Sequence, residues 1–387
     1  MWLLARLQRY WPELLGMLLA LAAQIQLGWW LLKGPRVERS AVLRRTVKVA
    51  VLLASVWVLL GFFFSIQRMA RWLPPSPGVV WLRGLALAWA MISVGEVAIW
   101  FLWRRAPQYD PGRRRLLRAA GGVLAAAPIA GLGFGILVQR TDLRVREVKV
   151  LVGGLPKDFQ GLRLVHLSDI HLGAFLSERE LERVVGVANE LRGHVAVITG
   201  DLVSWRVEAL DACLGRLAKL RAEAGIFGCM GNHEAYFNGE SYAALKGASV
   251  GVEFLRQRSH RLRFGSGILN LVGVDYQSQR RPYLAGAQRW VEPGALNVLL
   301  CHNPDVFPVA ARQGYQLTLA GHTHGGQLVL ELFNQPLCAA RFYTPFVYGL
   351  YRRGPASIYV TRGIGTVGIP ARLGAPPEVA LIRLCAT

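Results

Sequence analysis

Residues 162–171 read LRLVHLSDIH. An apolar run from Leu162 to Leu167 stops at Ser168-Asp169-Ile170-His171. A short Leu/Val-rich run bounded by polar residues is the pattern of a buried strand. Asp169 and His171 stand two apart just beyond it, so both can face one side of the strand's carboxyl end. Open α/β sheets bind their ligands at that end. One carboxylate and one imidazole so placed can make half of a metal site, but by themselves they are more often the solvated end of a strand.

The same grammar recurs downstream. His194-VAVIT-Gly200-Asp201 is a second apolar run ending in an Asp, and Gly225-IFGCM-Gly231-Asn232-His233-Glu234 is a third. Leu296-NVLL-Cys301-His302 is a fourth, and Gln316-LTLA-Gly321-His322-Thr323-His324 a fifth. Five of the eight histidines therefore fall just past an apolar strand, a placement that points to one shared site.

Between these runs the period changes. Ser177 and Glu180 form the pattern of a capping box, opening a helix with Leu181, Val184, Val185, Ala188 and Leu191 on one stripe and Gly193 at its end. Val207, Leu210, Leu214 and Leu217 repeat the stripe in a second helix. Residues 251–275 read as short strands broken by Gly265, Ser266 and Gly267 and ending at Asp275. A helix is expected near 283–291, and Asp305 is placed to cap a short helix ending near Gly314. Strands are expected over 144–152, 327–332, 357–362 and 379–384. A βαβαβ half followed by a strand-rich half suggests an α/β domain of two packed sheets with helices outside.

Residues 1–140 differ in kind. Apolar stretches near 14–32, 47–66, 79–103 and 119–138 reach membrane-spanning length. Gln24 and Gln26 make the first the least regular. Glu96 is the one carboxylate within them, close enough to Arg104-Arg105 to be expected at an interface. The fourth, rich in Gly and Ala, suits close helix packing. Trp11, Trp29, Trp30, Trp72, Trp81, Trp100 and Trp103 cluster near the ends, as aromatic belts do. Four such spans argue against a cleaved leader. The expected division is a transmembrane anchor over 1–140 and a catalytic domain over 141–387.

Positive residues favour the cytoplasm. The connection 33–46 holds Lys33, Arg36, Arg39, Arg44 and Arg45, and 104–118 holds Arg104, Arg105, Arg113, Arg114, Arg115 and Arg118. Arg6 and Arg9, and Arg68 and Arg71, mark the poorer opposite side. Four spans then put the carboxyl-terminal domain outside the cytoplasm, against the opposing pull of Arg140, Arg144, Arg146 and Lys149. Of the formal charge of +21, residues 1–140 carry +14 and the rest +7. The excess is thus mainly juxtamembrane, where it draws anionic headgroups, and no nucleic-acid partner is expected. The remaining basicity suits a phosphate-bearing substrate or an ordinary basic surface. Five cysteines without a CxxC give neither a disulfide framework nor a zinc knot.

The candidate ligands are Asp169, His171, Asp201, Asn232, His302, His322 and His324. Seven donors exceed one ion's needs; two ions sharing Asp201 use them all. Mixed oxygen and imidazole suits Mn, Fe or Zn better than Mg or Ca. A pair of such ions holds phosphate oxygens and activates water. His233, next to Asn232, cannot easily face the same ion and is better employed as an acid on the leaving oxygen or on the transition-state charge. His166, inside its strand, reads as a core histidine; His194 and His260 receive no role. Glu234 either orients His233 or caps a helix. Arg362 reads as a surface arginine before a phosphate contact.

DxH, GD, GNHE, a lone His and GHTH in that order resemble the calcineurin-like metallophosphoesterase family. The resemblance covers about 160–385 with no block substituted. It implies a four-layer αββα sandwich with a dinuclear centre. In it, Asp169, His171 and His324 hold one metal, Asn232, His302 and His322 the other, Asp201 bridges, and His233 is the catalytic histidine. GHTHGGQ, GLY at 349–351 and YVTRGIGTVGIPARLGAPPE at 359–378 are similar to the membrane-anchored bacterial branch of the YkuE type, which includes enzymes resembling UDP-2,3-diacylglucosamine pyrophosphatase. The expected activity is hydrolysis of a phosphomonoester, phosphodiester or pyrophosphate bond in a small-molecule or lipid-linked substrate. A non-catalytic metal-bound scaffold or sensor at the membrane is the alternative.

Overall fold

The structure, a computed structural model, describes residues 2–65, 76–104, 111–204, 206–278, 283–332 and 335–387. Arg68, Arg71, Trp72 and Arg105 lie outside them, as do the side chains of Arg6, Arg9, Trp11, Arg104 and Arg113–Arg118. Contacts divide the chain into two units, Met1–Ile136 with Gly368–Pro370, and Leu137–Val367 with Ala371–Thr387.

Leu14–Leu32, Ala41–Phe63, Pro77–Trp103 and Ala120–Thr141 are each long and apolar enough to cross a membrane. The second helix starts at Ala41 rather than 47, because Ser40 caps it by accepting from the Leu43 N–H; its expected end at 66 lies outside the described residues. Gln24 does not break the first span. Its amide donates to Ser93 Oγ at 2.6 Å and accepts from Trp89 Nε1 at 3.4 Å, so the polar group is satisfied between helices. A Cβ on Gly61 would lie 2.7 Å from Ala86 Cβ, whereas in the glycine-rich fourth span Gly122 and Gly133 face open space. Glu96 is half-buried with Oε1 enclosed and unbonded.

The second unit holds strands β1 (Arg144–Val152), β2 (Arg163–Leu167), β3 (Val195–Thr199), β4 (Ile226–Cys229), β5 (Val252–Phe254), β6 (Arg258–Phe264), β7 (Gly267–Gly273), β8 (Leu296–Leu300), β9 (Leu317–Ala320), β10 (Leu330–Leu332), β11 (Gln335–Leu337), β12 (Gly349–Arg353), β13 (Ala356–Val360) and β14 (Glu378–Ala386). One six-stranded sheet has the order β1-β14-β2-β3-β4-β5 and the other β12-β13-β9-β8-β7-β6. β2 to β5 run parallel, as do β7, β8, β9 and β13. Period-two alternation assigns the faces. Leu164, Val197, Leu271, Val298, Leu319 and Tyr359 belong to the core between the sheets. Val165, Leu167 and Ile198 instead meet Leu181, Val184, Leu210 and Leu214 of the helices. Leu299 and Cys301 pack outward on Val306, Ala310 and Tyr315. The result is the expected layering of helices, two sheets and helices.

Local signals behaved unevenly. Ser177 and Glu180 form the full capping box of helix Glu178–Glu190, which ends before Gly193. Gly193 is there for proximity, since a Cβ would meet Val165 Cγ2 at 2.6 Å. The helix expected near 283–291 is a single 3₁₀ turn, Ala287–Trp290, because Gly286 precedes it in the left-handed region with φ 75°. Asn303, not Asp305, caps the next turn, accepting from the Asp305 N–H; the Asp305 carboxylate instead accepts from Thr344 Oγ1. The strand expected over 327–332 is confined to Leu330–Leu332, and β11 and β12 were not anticipated.

Candidate metal centre

β2, β3, β4, β8 and β9 deliver their carboxyl ends to one place. Asp169, His171, Asp201, Asn232, His233, His302 and His324 are all buried there, and His322 is half-buried. The turns are zipped together by backbone. Asp169 N–H donates to Gly200 O and His171 N–H to Asp201 O, at 3.1 and 3.0 Å. Asp169, His171, Asp201, His322 and His324 adopt φ of 51°, 50°, 54°, 75° and 52°. Five non-glycine residues in the left-handed region at one locus is backbone strain concentrated at a site. The neighbouring glycines allow the crowding: a Cβ on Gly231 would lie 2.2 Å from Asp201 Oδ1, and one on Gly321 2.2 Å from Asp169 Oδ2.

Each carboxylate is aimed by a backbone donor from another turn. Both Asp169 oxygens accept from His322 N–H at 3.0 Å. Asp201 Oδ1 accepts from His233 N–H at 2.9 Å. Asp201 Oδ2 then faces His302 Nε2 at 3.2 Å, His171 Nε2 at 3.4 Å and His233 Nε2 at 4.0 Å. Asp169 Oδ1 faces His324 Nε2 at 3.5 Å. His302 Nδ1 donates to Thr199 O at 2.6 Å, which turns Nε2 toward Asp201 Oδ2. His233 Nδ1 is likewise set on Ser204 O.

The electrostatics follow from burial and two carboxylates. Burial alone would raise Asp201, but His302 and His233 outweigh it and hold its pKa well below the ordinary value. Burial opposes a charged His302, yet Asp201 and Asp169 hold its pKa up to about 10. Burial pushes His322 and His324 down to about 4. Imidazoles that resist protons while facing carboxylates are suited to cations other than H⁺.

Three observations fit divalent ions. His171 Nε2 and His324 Nε2 lie 3.1 Å apart, as do His302 Nε2 and His322 Nδ1; nitrogens about 2.1 Å from a shared ion sit at about that spacing. Asn232 Oδ1 is buried with no hydrogen-bond partner, a costly state for an acceptor unless it meets a cation. Ligand atoms of Asp169, His171 and His324 lie within 4.8 Å of one another, as do those of Asp201, His302 and His322, and of His171, Asp201 and His233. The structure thus brings together seven of the eight residues singled out in the sequence, and the eighth, Asn232, directly precedes His233 in the chain. It also puts His233 within a ligand group, nearer than the sequence reading allowed.

A scan against family models matches the calcineurin-like phosphoesterase family over residues 162–326. A bovine (Bos taurus) "transmembrane protein with metallophosphoesterase domain" is 30% identical over 323 residues, covering 79% of this chain and 71% of that protein.

The chain belongs to the calcineurin-like metallophosphoesterases.

The zebrafish (Danio rerio) protein of the same name is 35% identical over 268 residues, 65% of this chain, and the match spans 59% of the zebrafish protein. YkuE of Bacillus subtilis (strain 168), an uncharacterized metallophosphoesterase, is 28% identical over 71% of this chain and 98% of its own. Membership makes this chain a metal-dependent phosphoesterase. With four membrane-length helices and relatives named transmembrane proteins, it is a membrane protein.

Some metallophosphoesterase features escaped the sequence. Glu234 does more than cap its helix: its carboxylate accepts from Asp201, Leu202 and Gly231 N–H groups. Arg372 is fully buried and donates to the carbonyls of Gly365, Arg362, Ala375 and His324. Arg362 is not a surface arginine; its side chain is 15% exposed, with Nε 3.9 Å from Glu378 and its guanidinium over the Tyr348 ring. Tyr276 sets its ring 5.8 Å from that of His322. Gly363 and Gly365 press on Asp169 and Ile170, where a Cβ would come within 2.6 and 2.2 Å. His166 is the expected core histidine, bonded to Thr199 Oγ1 at 2.8 Å.

Proposed function

We propose that this chain is a membrane-anchored, dinuclear phosphohydrolase, with residues 1–140 as anchor and 141–387 as catalytic domain. The observation that carries the reading is the convergence of two carboxylates, five imidazoles and an unpartnered amide oxygen from five separate strand ends. Asp169, His171 and His324 would hold one transition-metal ion, Asn232, His302 and His322 the other, with Asp201 between them. Mn, Fe or Zn fits this donor set. When bound, the pair supplies positive charge to phosphate oxygens and lowers the pKa of water.

The chain's own residues do the rest. Backbone donors fix Asp169 and Asp201, and Thr199 O orients the His302 ring. His233, its Nδ1 on Ser204 O and its Nε2 near Asp201, delivers a proton from Nε2 to the leaving oxygen. The substrate class is a phosphomonoester, phosphodiester or pyrophosphate carried on a lipid or envelope molecule, supported by the occurrence of membrane-length helices and a hydrolytic domain in one chain. The arginine-rich 33–46 and 104–118 connections support a catalytic domain outside the cytoplasm. Assaying the detergent-solubilised chain, loaded with Mn, Fe or Zn, on bis-(p-nitrophenyl) phosphate, p-nitrophenyl phosphate and nucleotide-lipid pyrophosphates tests the activity. Hydrolysis of at least one is expected; none at full metal loading contradicts it. Alkaline-phosphatase and green-fluorescent-protein fusions at the carboxyl terminus test the orientation.

A further inference from the structure

Arg362 stands between two turns of the candidate metal centre. It follows β13 closely, and the chain after it is laced to the Asp169 turn. Ile364 N–H donates to Ser168 O at 3.1 Å and Gly365 N–H to Asp169 O at 2.7 Å. On the other side, a Cβ on Gly325, next to His324, would lie 2.7 Å from Arg362 Cγ. Asp169 and His324 belong to one candidate ligand group. The Arg362 guanidinium lies over the Tyr348 ring, 4.5 Å from its centroid. Tyr348 follows Val347, whose carbonyl accepts from Thr323 Oγ1, between His322 and His324. Both members of the stack are therefore built onto the turns that carry the ligands.

The guanidinium so held is short of partners. Its side chain is largely buried, and Nε is enclosed without a hydrogen bond. Among the described residues none of its N–H groups finds an acceptor. The nearby Glu378 stops with Oε2 at 3.9 Å from Nε, while its Oε1 is taken by Tyr359 OH, Thr361 Oγ1 and the Arg362 N–H. Arg372 is the contrast, buried with carbonyls for its guanidinium. A cation buried without acceptors is costly, and a tyrosine face offsets only part of that. The local charge is also unbalanced, because Arg362 and Arg372 share Glu378 while Asp169 is committed to the metal group. Missing acceptors and excess positive charge call for the same ligand, an anion presenting paired oxygens. Phosphate is the group a guanidinium takes that way. On the dinuclear reading the scissile phosphate already has two ions for its oxygens. Arg362 packs on Gly325, the residue after His324, which sets its charge beside the ion pair rather than within it.

We propose that Arg362, on its Tyr348 platform, is the specificity-determining residue that receives a second phosphate, one joined to the scissile group. The centre then favours a diphosphate bond over a simple phosphomonoester or phosphodiester. This deepens the dinuclear reading above and rests on it. The test titrates the full chain in detergent, at fixed free Mn, with methylphosphonate and with methylenediphosphonate, followed by calorimetry. The two probes differ by one phosphonate group and neither is a substrate, so turnover is not needed. Wild type is expected to bind the diphosphonate about tenfold tighter or more, as hydrogen bonds to a charged group allow. Arg362→Gln should lose most of that preference and leave methylphosphonate affinity unchanged. Arg362→Lys keeps the charge without the fork and should keep only part of the preference. Equal weakening of both probes in Arg362→Gln, the mark of a merely structural role, overturns the proposal, and so does an unchanged preference. Should Arg362→Gln not fold, Arg362→Lys decides: a reduced preference supports the proposal and an unchanged one overturns it. A wild-type chain that binds methylphosphonate without preferring the diphosphonate overturns this inference alone. A metal-loaded wild-type chain that binds neither overturns the dinuclear reading and this inference with it.

Discussion

Glu234 holds Asp201 by its backbone: Glu234 Oε2 accepts from Asp201 N–H at 2.9 Å while Oε1 takes Leu202 N–H at 2.8 Å. The same Oε2 accepts from Gly231 N–H at 2.9 Å. One carboxylate therefore joins the turn after β3 to the turn after β4, and so sets Asp201 relative to Asn232. Burial, then Asp201, raises the Glu234 pKa, a cost accepted at a position that touches none of the reacting atoms.

Glu234→Gln should thus be a positioning defect. The amide keeps one acceptor and presents a donor to groups that need acceptors, costing about 1–3 kcal/mol. The expected result is a folded chain with lowered metal affinity and kcat, measured by metal titration and steady-state assay. Unchanged metal affinity would remove Glu234 from this role.

Arg372→Lys should destabilise more than its chemistry suggests. The guanidinium serves Gly365, Arg362, Ala375 and His324 carbonyls together, and a lysine ammonium cannot reproduce that fork. Burial lowers its pKa to about 10, which leaves it charged at neutral pH. We expect a loss of about 3 kcal/mol or more from hydrogen bonds made by a charged donor, read by chemical denaturation. A shift within about 0.5 kcal/mol would contradict it.

Acid sensitivity should come in part from His166. Burial pushes it down to about 3, Asp169 opposing, against about 6.5 in an unfolded chain. Between those values the unfolded chain binds a proton that the folded chain refuses. Stability therefore rises with pH across that window, falls on acidification, and is unaffected by this group above about pH 7. His166→Gln should flatten the slope of unfolding free energy between pH 6.5 and 4 by up to about 1.4 kcal/mol per pH unit. An unchanged slope would show that His166 is protonated in the fold.

His233→Ala separates catalysis from ligation. His233 Nε2 lies 4.0 Å from Asp201 Oδ2, farther than the 3.2 Å of His302. The variant should keep its metals and lose about 10²–10⁴-fold in kcat, the range for a general acid. Loss of an ion instead would make His233 a ligand.

The strand ends were legible because each candidate ligand directly follows a short apolar run, and the run's length and boundary give the element without tertiary information. Arg372 and Glu234 were not legible in their roles, since they bind backbone atoms of segments that spacing does not connect. Arg362 was misread for the same reason: Tyr348 and Glu378, distant in sequence, enclose it. The helix near 283–291 failed locally, where left-handed Gly286 allows only one 3₁₀ turn. The left-handed backbone at Asp169, His171, Asp201, His322 and His324 left no trace in residue type, because the surrounding turns impose it.

Elemental analysis of the purified full-length chain tests the central claim most directly. Two transition-metal ions per folded chain are expected, falling to less than one in Asp201→Ala as hydrolysis disappears. A folded wild-type chain that retains no transition metal after incubation with Mn, Fe or Zn, or an Asp201→Ala variant that keeps both ions and full turnover, would contradict it.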